Sequence, residues 1–378
     1  MINRRCFLKL ACAWPLAARL PDMYQPVIVD GHLDLGWNMV NYGRDYRLSA
    51  AQIRQAENNG DSYPIQGQAT LGLPDLLSGR VALVIGMIYV MPAHLASNAA
   101  QIARYSTPEE ASAWGWKMLE AIEQLAASSA QFALVRNQTE MNAVLKTWEP
   151  GLPQDERQVG IIIGMEGADP ILTPDELAAW YERGLRSIGP AWGRTRYAGS
   201  NSEDGPLTEL GGQLLDGMQQ SGMLLDTAHA SETAFWQMLE RWDAPVVYSH
   251  GNSRHFLPTE RGLSDAQIQA IADRSGVVGI GLYNGFFQQN TAAPGRVALD
   301  DVVNAIDYVC QFLGNCEHVA MGSDLDGGFG AEDIPVGFDT VADLSRIPTA
   351  LLGRGYSQAD IDNITHGNWL RVLSQVLP

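Results

Sequence analysis

A repeated alternation of apolar, β-branched runs with amphipathic helical patterns is the feature that most constrains this chain. Strands that are apolar almost throughout, and that each lead into a helix, are typical of a parallel sheet covered by helices. Strands are predicted at eight places, which are residues 26–34, 81–90, 159–167, 185–192, 223–230, 245–252, 276–284 and 318–328. Helices are predicted at residues 108–127, 173–184, 232–242, 264–276 and 299–314.

Eight strand–helix units predict an α/β fold of the (β/α)8 barrel type. The alternative is an open, doubly wound sheet, but no G-x-G-x-x-G motif follows the first predicted strand. Thr173 and Ser264 each precede an acidic first turn, which predicts that they cap the helices that follow. Two segments, 41–75 and 91–107, interrupt the alternation and are expected at the carboxyl-terminal rim of the barrel. They would serve either as lid or substrate-contact segments or as surface decoration.

Composition narrows the class of partner. The chain has 378 residues, of which 46% are hydrophobic, which is enough for one barrel-sized domain or two ordinary ones. The eight units assign residues 23–378 to a single domain. A net charge of −18, from 25 Lys and Arg against 43 Asp and Glu, repels nucleic acids and anionic membranes, so both are excluded as partners. Of the four cysteines, Cys310 and Cys316 are predicted to be free thiols.

The first residues predict export from the cytoplasm. Arg4 and Arg5 precede a short apolar run with small residues near a possible cleavage point, so residues 1–22 resemble a twin-arginine signal. The protein is therefore expected in the periplasm or outside the cell; the alternative is a cytoplasmic chain with an unstructured start. No run is long enough for a permanent membrane helix, which needs about 20 apolar residues.

Ionisable side chains stand at the ends of the predicted strands. In the stretch DGHLDL, His32 and Asp34 are two positions apart, and side chains at that spacing in a strand share one face. The ends of four other strands carry Glu166, His229, His250 and Asp324. Because barrel active sites are built at the carboxyl ends of the strands, these side chains are expected to converge. A lone histidine there would more often be a hydrogen-bonded core residue, but the joint arrangement favours a site.

The types of these side chains indicate metal-assisted hydrolysis. Imidazoles and carboxylates without thiolates suit zinc or another divalent first-row metal. The set exceeds the needs of one ion, which predicts two ions with a carboxylate such as Glu166 between them. A water held by two such ions is ionised near neutral pH and is already positioned as a nucleophile.

Five motifs follow one another at spacings that a barrel allows, namely DGHLDLGW, GMEGADP, MLLDTAHAS, SHGNSRH and GSDLDGG. In this order they resemble the membrane (renal) dipeptidase family of metallopeptidases, which is similar to the wider amidohydrolases. The resemblance covers roughly residues 26–376. It implies a (β/α)8 barrel with two zinc ions, hydrolysis of a small peptide or amide, and a possible homodimer.

The resemblance also implies a division of the metal ligands. His32 and Asp34 would bind one zinc ion. His229 and His250 would bind the other ion, and Glu166 would bridge the two.

Further residues match positions that contact the substrate in this family. Asp324 matches the catalytic carboxylate, which orients the bridging hydroxide and passes its proton to the leaving amine. For a structural role in the turn DLDGG, Asp326 is a better candidate than Asp324. Arg261 matches the arginine that binds the terminal carboxylate of a dipeptide, and a guanidinium fork suits that group. Trp37 and Tyr89 match residues of the pocket wall.

One position departs from the family pattern. The stretch IGPAWGRTRYAG places Trp192 where the family has a histidine that contacts the scissile carbonyl and helps to stabilise the tetrahedral intermediate. An indole offers one N–H donor and no charge, so oxyanion stabilisation is expected to be weaker or to come from elsewhere. Arg194 or Arg196 could supply it.

The sequence therefore predicts a zinc-dependent dipeptidase that uses a metal-bridging hydroxide. One alternative is an amidohydrolase that acts on a non-dipeptide amide or a secondary-metabolite precursor, which the bulk of Trp192 would suit. Another is a metal-binding homologue without catalysis.

Overall fold

Eight parallel strands form the framework of the computed structural model, which describes residues 25–57, 66–96, 103–290 and 297–378. The strands are β1 (Ile28–Leu33), β2 (Val81–Tyr89), β3 (Val159–Glu166), β4 (Leu185–Gly189), β5 (Leu224–Asp226), β6 (Val246–Tyr248), β7 (Val277–Ile280) and β8 (Val319–Met321).

These strands close into a ring. Neighbouring strands are hydrogen-bonded in the order β2-β1-β8-β7-β6-β5-β4-β3, and all of these pairings are parallel. A further pairing between β2 and β3 joins the two ends of this order, from Leu83 opposite Gly160 to Tyr89 opposite Glu166. The predicted (β/α)8 barrel is therefore confirmed.

Helices surround the ring. In the described residues they are α1 (Leu35–Tyr42), α2 (Ala50–Glu57), α3 (Leu73–Ser78), α4 (Pro108–Ala127), α5 (Gln138–Lys146), α6 (Leu177–Glu182), α7 (Glu209–Gln220), α8 (Glu232–Arg241), α9 (Asp265–Asp273), α10 (Leu299–Leu313), α11 (Arg346–Gly353), α12 (Gln358–Asp362) and α13 (Asn368–Val376). A π-helical turn, Asn363–Gly367, joins α12 to α13. Short strands at Met91–Pro92, Arg104–Tyr105 and Phe132–Leu134 were not predicted; the last pairs with the start of β3.

The two predicted helix caps have different outcomes. The Ser264 hydroxyl accepts a hydrogen bond from the Gln267 N–H at 3.3 Å, which confirms this residue as the cap of α9. Thr173 makes no side-chain cap bond, so this prediction is wrong. The chain after it forms a 3-10 turn, Pro174–Glu176, before α6 begins, and a turn of that geometry does not present the Thr173 hydroxyl with an α-helical N3 amide.

Side chains along β2 alternate between two hydrophobic cores. Leu83, Ile85 and Met87 join one cluster, whereas Val84 and Ile88 join the other. The first cluster also contains residues from β3, β5, β6, β7 and β8, so it fills the inside of the ring. The second lies between the ring and its helices, which is the layered packing that a (β/α)8 barrel requires.

Helix α13 completes the inner core. Trp369 is fully buried there, and its indole Nε1 donates a hydrogen bond to the carbonyl oxygen of Met321 at 2.7 Å. A Cβ atom at Gly31 of β1 would lie 2.0 Å from the Trp369 ring, so only glycine fits at this position. The helix thus packs directly on the strand that carries His32.

Asp326 anchors the first rim segment to the end of β8. Its Oδ1 accepts hydrogen bonds from the backbone N–H and the hydroxyl of Thr70, both at 2.7 Å, and its Oδ2 accepts one from the Tyr46 hydroxyl at 3.0 Å. Arg44 Nη1 lies 2.9 Å from the same Oδ2, and both side chains are fully buried. Asp326 therefore has the structural role that the sequence suggested for it.

Other predictions fall outside this framework or concern its surface. The predicted export signal at 1–22 lies outside the described residues, and assembly as a homodimer stays a prediction. Within the described ranges, no helix is both long enough and apolar enough to cross a membrane. Cys310 and Cys316 are buried free thiols, as predicted.

We expect Asp326→Asn to lower the free energy of unfolding by about 3 kcal/mol, because it leaves the buried Arg44 guanidinium with only Glu57 as a counter-charge. Asparagine tolerates the left-handed backbone at this position, where φ is 63°, so the change isolates the charge. Urea unfolding of the metal-free protein measures the effect. Asp45→Asn breaks an exposed pair with Arg47 and is the control, with an expected loss under about 1 kcal/mol. Equal losses in both variants would contradict the anchoring role.

Candidate metal centre

The centre begins at an irregular strand end. Between Asp30 and Leu33 the register of β1 against β2 shifts, as in a β-bulge, which re-aims the side chains locally. Asp34 lies just past β1, directly before α1, and its Oδ2 is 3.9 Å from His32 Nε2. The two side chains approach each other as predicted, but through a bulge and a helix start and not by sharing one face of a regular strand.

The other predicted ligands also follow strands of the ring. Glu166 is the last residue of β3, and His250 lies just after β6. His229 and Asp324 lie in the loops after β5 and β8 and have left-handed backbones, with φ of 64° and 62°. Such conformations cost a non-glycine residue about 1–3 kcal/mol and cluster at functional sites.

One oxygen of Glu166 is the point where the imidazoles meet. Its Oε1 lies 3.1 Å from His229 Nε2, 3.5 Å from His250 Nε2 and 3.7 Å from His32 Nε2. The Nε2 atoms of His229 and His250 are themselves only 3.0 Å apart. The three histidines thus direct the same ring nitrogen toward one carboxylate.

Two further carboxylates lie near the same nitrogen of His32. Its Nε2 is 3.8 Å from Asp324 Oδ1 and 3.9 Å from Asp34 Oδ2. The side chains form two overlapping groups whose ligand atoms lie within 4.8 Å of one another, which are His32 with Glu166 and His250, and His32 with Asp34 and Asp324. The structure therefore brings together all six predicted residues.

Burial shifts the pKa values of both residue types toward neutral forms. It raises the pKa of Asp34, Glu166 and Asp324 well above the usual range, and their mutual negative charges add to this rise. It lowers the pKa of His32 to about 3, with a smaller contribution from the charge of Arg261. The imidazoles are therefore unprotonated at neutral pH and have lone pairs to offer a metal.

Buried polar atoms without a hydrogen-bond partner indicate what kind of ligand suits the site. His32 Nε2, Asp34 Oδ1 and Glu166 Oε1 are buried and have no hydrogen-bond partner. Such atoms cost about 1–3 kcal/mol each when nothing satisfies them. All three face the shared centre, and the donor set of imidazole nitrogens and carboxylate oxygens fits divalent first-row cations.

A cavity of about 320 Å³ opens above these ligands. Trp37, Tyr89 and Trp192 form one wall, with ring centroids 5.2 Å apart for the first pair and 4.9 Å for the second. The sequence assigned all three to the pocket, and they line it. A second aromatic wall was missed, and it consists of Tyr283, Phe286 and Phe329.

The rim segments contribute to the cavity as well. Gln66 lies in the first segment and Met91 in the second, and both line the cavity. Gln66 accepts a hydrogen bond from the Trp37 indole at 3.2 Å, which fixes that ring. The described parts of both segments therefore contact the space above the ligands, as a substrate-contact role requires.

Neither arginine of the loop after β4 reaches the cavity. Arg196 is held by Asp169, with Nε 3.2 Å from Oδ1, and by the carbonyl oxygens of Leu172 and Ile171. Arg194 is exposed, and its backbone N–H donates to Glu203. The suggestion that one of them replaces the family histidine is therefore wrong, because Arg196 is bound by the loop after β3 and Arg194 lies at the surface.

Arg261 lies beside the imidazoles. Its Nη2 is 3.3 Å from His229 Nε2, and its Nη1 donates to the Tyr248 hydroxyl and to the carbonyl oxygen of His250. Its guanidinium carbon also lies 4.8 Å from the centre of the Phe286 ring. The predicted substrate residue is thus at the edge of the metal centre.

Two buried aspartates behind the ligands were not identified from the sequence. Asp30 accepts hydrogen bonds from the Ser323 N–H at 2.8 Å and hydroxyl at 2.5 Å, and Asp226 accepts one from the Ser249 N–H at 2.9 Å. Burial raises the pKa of Asp30 to about 6. Both aspartates stand shortly before a predicted ligand in the same strand end, and that spacing could have pointed to them.

Comparison with known proteins decides the family. The family description "Membrane dipeptidase (Peptidase family M19)" matches residues 21–377. This chain belongs to the membrane dipeptidase family. It is therefore a metal-dependent hydrolase of peptide or amide bonds, and its converging imidazoles and carboxylates are groups that could hold a divalent metal.

Relatives of this membrane dipeptidase family member include named and unnamed proteins. An uncharacterized protein in the pqqA 5' region of Klebsiella pneumoniae is 31% identical over 271 residues, which cover 69% of this chain and 95% of that protein. The dipeptidase aclJ of Aspergillus oryzae is 30% identical over 58% of this chain, and mouse dipeptidase 3 is 27% identical over 58%. The matches span 52% and 45% of those two proteins, or about half their length.

Solved structures share the fold. A metallopeptidase from Rhodobacter sphaeroides, liganded with a phosphinate mimic of the dipeptide L-Ala-D-Ala, has a TM-score of 0.73 and 24% identity, covering 93% of this chain and 100% of that one. The probable dipeptidase PvdM of Pseudomonas aeruginosa has a TM-score of 0.74 and 19% identity, covering 93% and 96%. At these identities the likeness concerns the architecture.

We expect zinc binding to release at least one proton per protein molecule at pH 7. In the metal-free protein the imidazoles are neutral, whereas burial and mutual repulsion raise the pKa values of Asp34, Glu166 and Asp324 and so favour their protonated forms. A metal must displace those protons. The released amount should fall as the pH rises through the raised carboxyl pKa values, because the protons are then already lost.

An indicator dye in weakly buffered solution measures this release, with zinc added to buffer alone as the baseline. Glu166→Gln has one titrating carboxyl fewer and should release less. Zinc binding without acidification at pH 7 would contradict the assigned protonation state.

Proposed function

We propose that this protein is a zinc-dependent dipeptidase that hydrolyses the peptide bond of free dipeptides at a two-ion centre. One observation carries the proposal: Glu166 Oε1 lies 3.1, 3.5 and 3.7 Å from three imidazole nitrogens and has no hydrogen-bond partner. The cavity above it, of about 320 Å³, is at the lower end of the range for small-molecule sites. A dipeptide is a ligand of that class.

The ligands divide naturally between two ions. His32 and Asp34 would hold one, His229 and His250 the other, and Glu166 would contact both. Zinc bound there supplies a water of lowered pKa and polarises the carbonyl of the substrate.

Asp324 is the candidate for proton transfer. It lines the cavity, and its Oδ1 lies 3.8 Å from His32 Nε2, within the same cluster as the ligands. Burial and the charge of Asp34 raise the pKa of its carboxyl group, which suits a group that must accept and return a proton near neutral pH. We infer that it takes a proton from the attacking water and delivers it to the leaving amine.

Arg261 is the candidate for binding the terminal carboxylate of the substrate. A nitrogen that binds a metal has no lone pair left, so His229 Nε2 cannot keep its hydrogen bond from Arg261 Nη2 once the centre is loaded. The freed Nη2 hydrogens then need another acceptor. A carboxylate in the cavity meets that need with the geometry of a guanidinium fork.

A second candidate function rests on Trp192. The centre of its ring lies 6.0 Å from that of His229 and 4.9 Å from that of Tyr89, to which it is tilted. An apolar surface therefore lies where the family histidine would offer a charged donor. This wall would favour a bulkier amide than a small dipeptide, including a precursor of a secondary metabolite.

We expect Asp324→Asn to lose dipeptide turnover by about 100-fold or more while it retains its metal ions, because general acid–base catalysis contributes effects of this size. The assay is hydrolysis of a panel of free dipeptides by zinc-loaded protein, with N-acylated dipeptides and L-Ala-D-Ala included. Metal content is measured on the same samples. Asp300→Asn, an exposed change on α10, is the matched control and should keep its activity.

The outcomes separate the candidates. Wild-type turnover of free but not N-acylated dipeptides supports the dipeptidase. No turnover by protein that holds two ions favours another amide. Unchanged turnover in Asp324→Asn would contradict the role of that carboxylate.

We expect Trp192→His to raise kcat on small dipeptides by about tenfold or more, because one well-placed oxyanion donor is worth about 100-fold to 1000-fold. Trp192→Phe keeps an aromatic wall without a ring N–H and should not produce this gain. Steady-state kinetics of both variants on one small and one bulky dipeptide measure the effect. A loss in both variants on both substrates would show that the indole itself serves catalysis.

A further inference from the structure

One buried hydroxyl contacts two of the predicted metal ligands. Ser249 Oγ lies 3.2 Å from His32 Nδ1 and 2.9 Å from His250 Nδ1. The two imidazole rings are side by side, with centroids 3.8 Å apart, and Ser249 is only 1% exposed. These rings come from different strand ends, and by the proposed division they belong to different ions.

The positions of the protons follow from the direction of the rings. Both histidines turn Nε2 toward Glu166 Oε1, so Nε2 is the atom that offers its lone pair to a metal. A neutral imidazole carries one hydrogen, which must then be on Nδ1 in both rings. Ser249 Oγ therefore accepts two N–H hydrogen bonds, which uses both of its lone pairs. Its own hydrogen needs an acceptor elsewhere.

Asp226 is the carboxylate that holds Ser249 in place. Its carboxylate is 2% exposed and takes hydrogen bonds at Oδ1 from the N–H groups of Ser249 and Ala228, at 2.9 and 3.0 Å. It also has a side-chain hydrogen bond with Ser249, which counteracts part of the rise in pKa that burial imposes on it. The carboxylate thus fixes the backbone of Ser249 and is the acceptor available to its O–H, while the hydroxyl oxygen faces the two imidazoles.

We propose that Asp226 and Ser249 form a positioning pair that orients His32 and His250 together and so couples the two metal sites. This inference rests on the two-ion centre of the proposed function. Hydrogen bonds to the outer nitrogen of a ligating histidine fix its tautomer and ring angle, and their loss costs about 10-fold to 100-fold in metal affinity. Because one hydroxyl serves both rings, its loss weakens both sites at once.

A second Asp–Ser pair in the same ring provides the control. Ser323, after β8, donates its hydroxyl to Asp30 Oδ2 at 2.5 Å and its N–H to Oδ1 at 2.8 Å. It is as deeply buried as Ser249, and its hydroxyl donates to Asp30 and accepts from the Leu325 N–H. Ser323→Ala therefore removes the same kind of group from the same layer of the barrel without touching an imidazole.

The experiment is titration of the metal-free full chain with Co²⁺, followed by its visible absorption, and with Zn²⁺ in competition with a chelating dye. Wild type, Ser249→Ala, Asp226→Asn and Ser323→Ala are compared, and thermal unfolding of each metal-free protein verifies that it is folded. We expect Ser249→Ala to bind both ions about 10-fold to 100-fold more weakly and to change the Co²⁺ absorption of both. Asp226→Asn should shift both in the same direction, and Ser323→Ala should match the wild type.

The possible failures are distinguishable. If Ser249→Ala and Asp226→Asn bind both ions like the wild type, or if only one site weakens, the coupling role is wrong although the two-ion centre stands. If the wild type itself does not take up two ions, the proposed two-ion centre is wrong, and the inference that depends on it is withdrawn. Asp226→Asn decides the matter should Ser249→Ala not fold.

Discussion

Three carboxyl groups and three unprotonated imidazoles share one buried pocket, and the rest of the structure is arranged around that constraint. Asp34, Glu166 and Asp324 each raise the pKa of another member of the set, and burial raises it further. The barrel provides rigid strand ends that hold like charges together against their repulsion, and a divalent ion is what makes the arrangement favourable.

Different residues hold the predicted metal ligands in place and shape the cavity above them. Asp30 and Asp226 stand behind the ligands and bind the serines of neighbouring strand ends, which ties the loops of the ring to one another. The rim has a different role. Asp326 ties the first rim segment to the end of β8, and the aromatic side chains of the rim face the cavity. Substitutions of Ser249 or Asp226 and substitutions of the rim should therefore affect metal binding and substrate choice separately.

The sequence was sufficient wherever the (β/α)8 topology alone determines where a residue lies. Parallel strands that close into a ring must bring their carboxyl ends together, so the six ionisable residues could be placed before any coordinates were known. It was uninformative wherever tertiary contacts decide. The bulge between Asp30 and Leu33 depends on the register against β2. The direction of the Arg196 side chain depends on how its loop packs against Asp169. The same holds for Ser249, whose role appears only when His32 and His250 lie on either side of it.

The packing of Trp369 on Gly31 has a consequence for the order of events in biosynthesis. Gly31 precedes every predicted ligand in the chain, and Trp369 follows every one of them. The strand that carries His32 therefore reaches its final surroundings only after the ribosome has made α13. The inner core behind the predicted ligands is thus a contact between an early strand and a late helix, and it is complete only when both have been made.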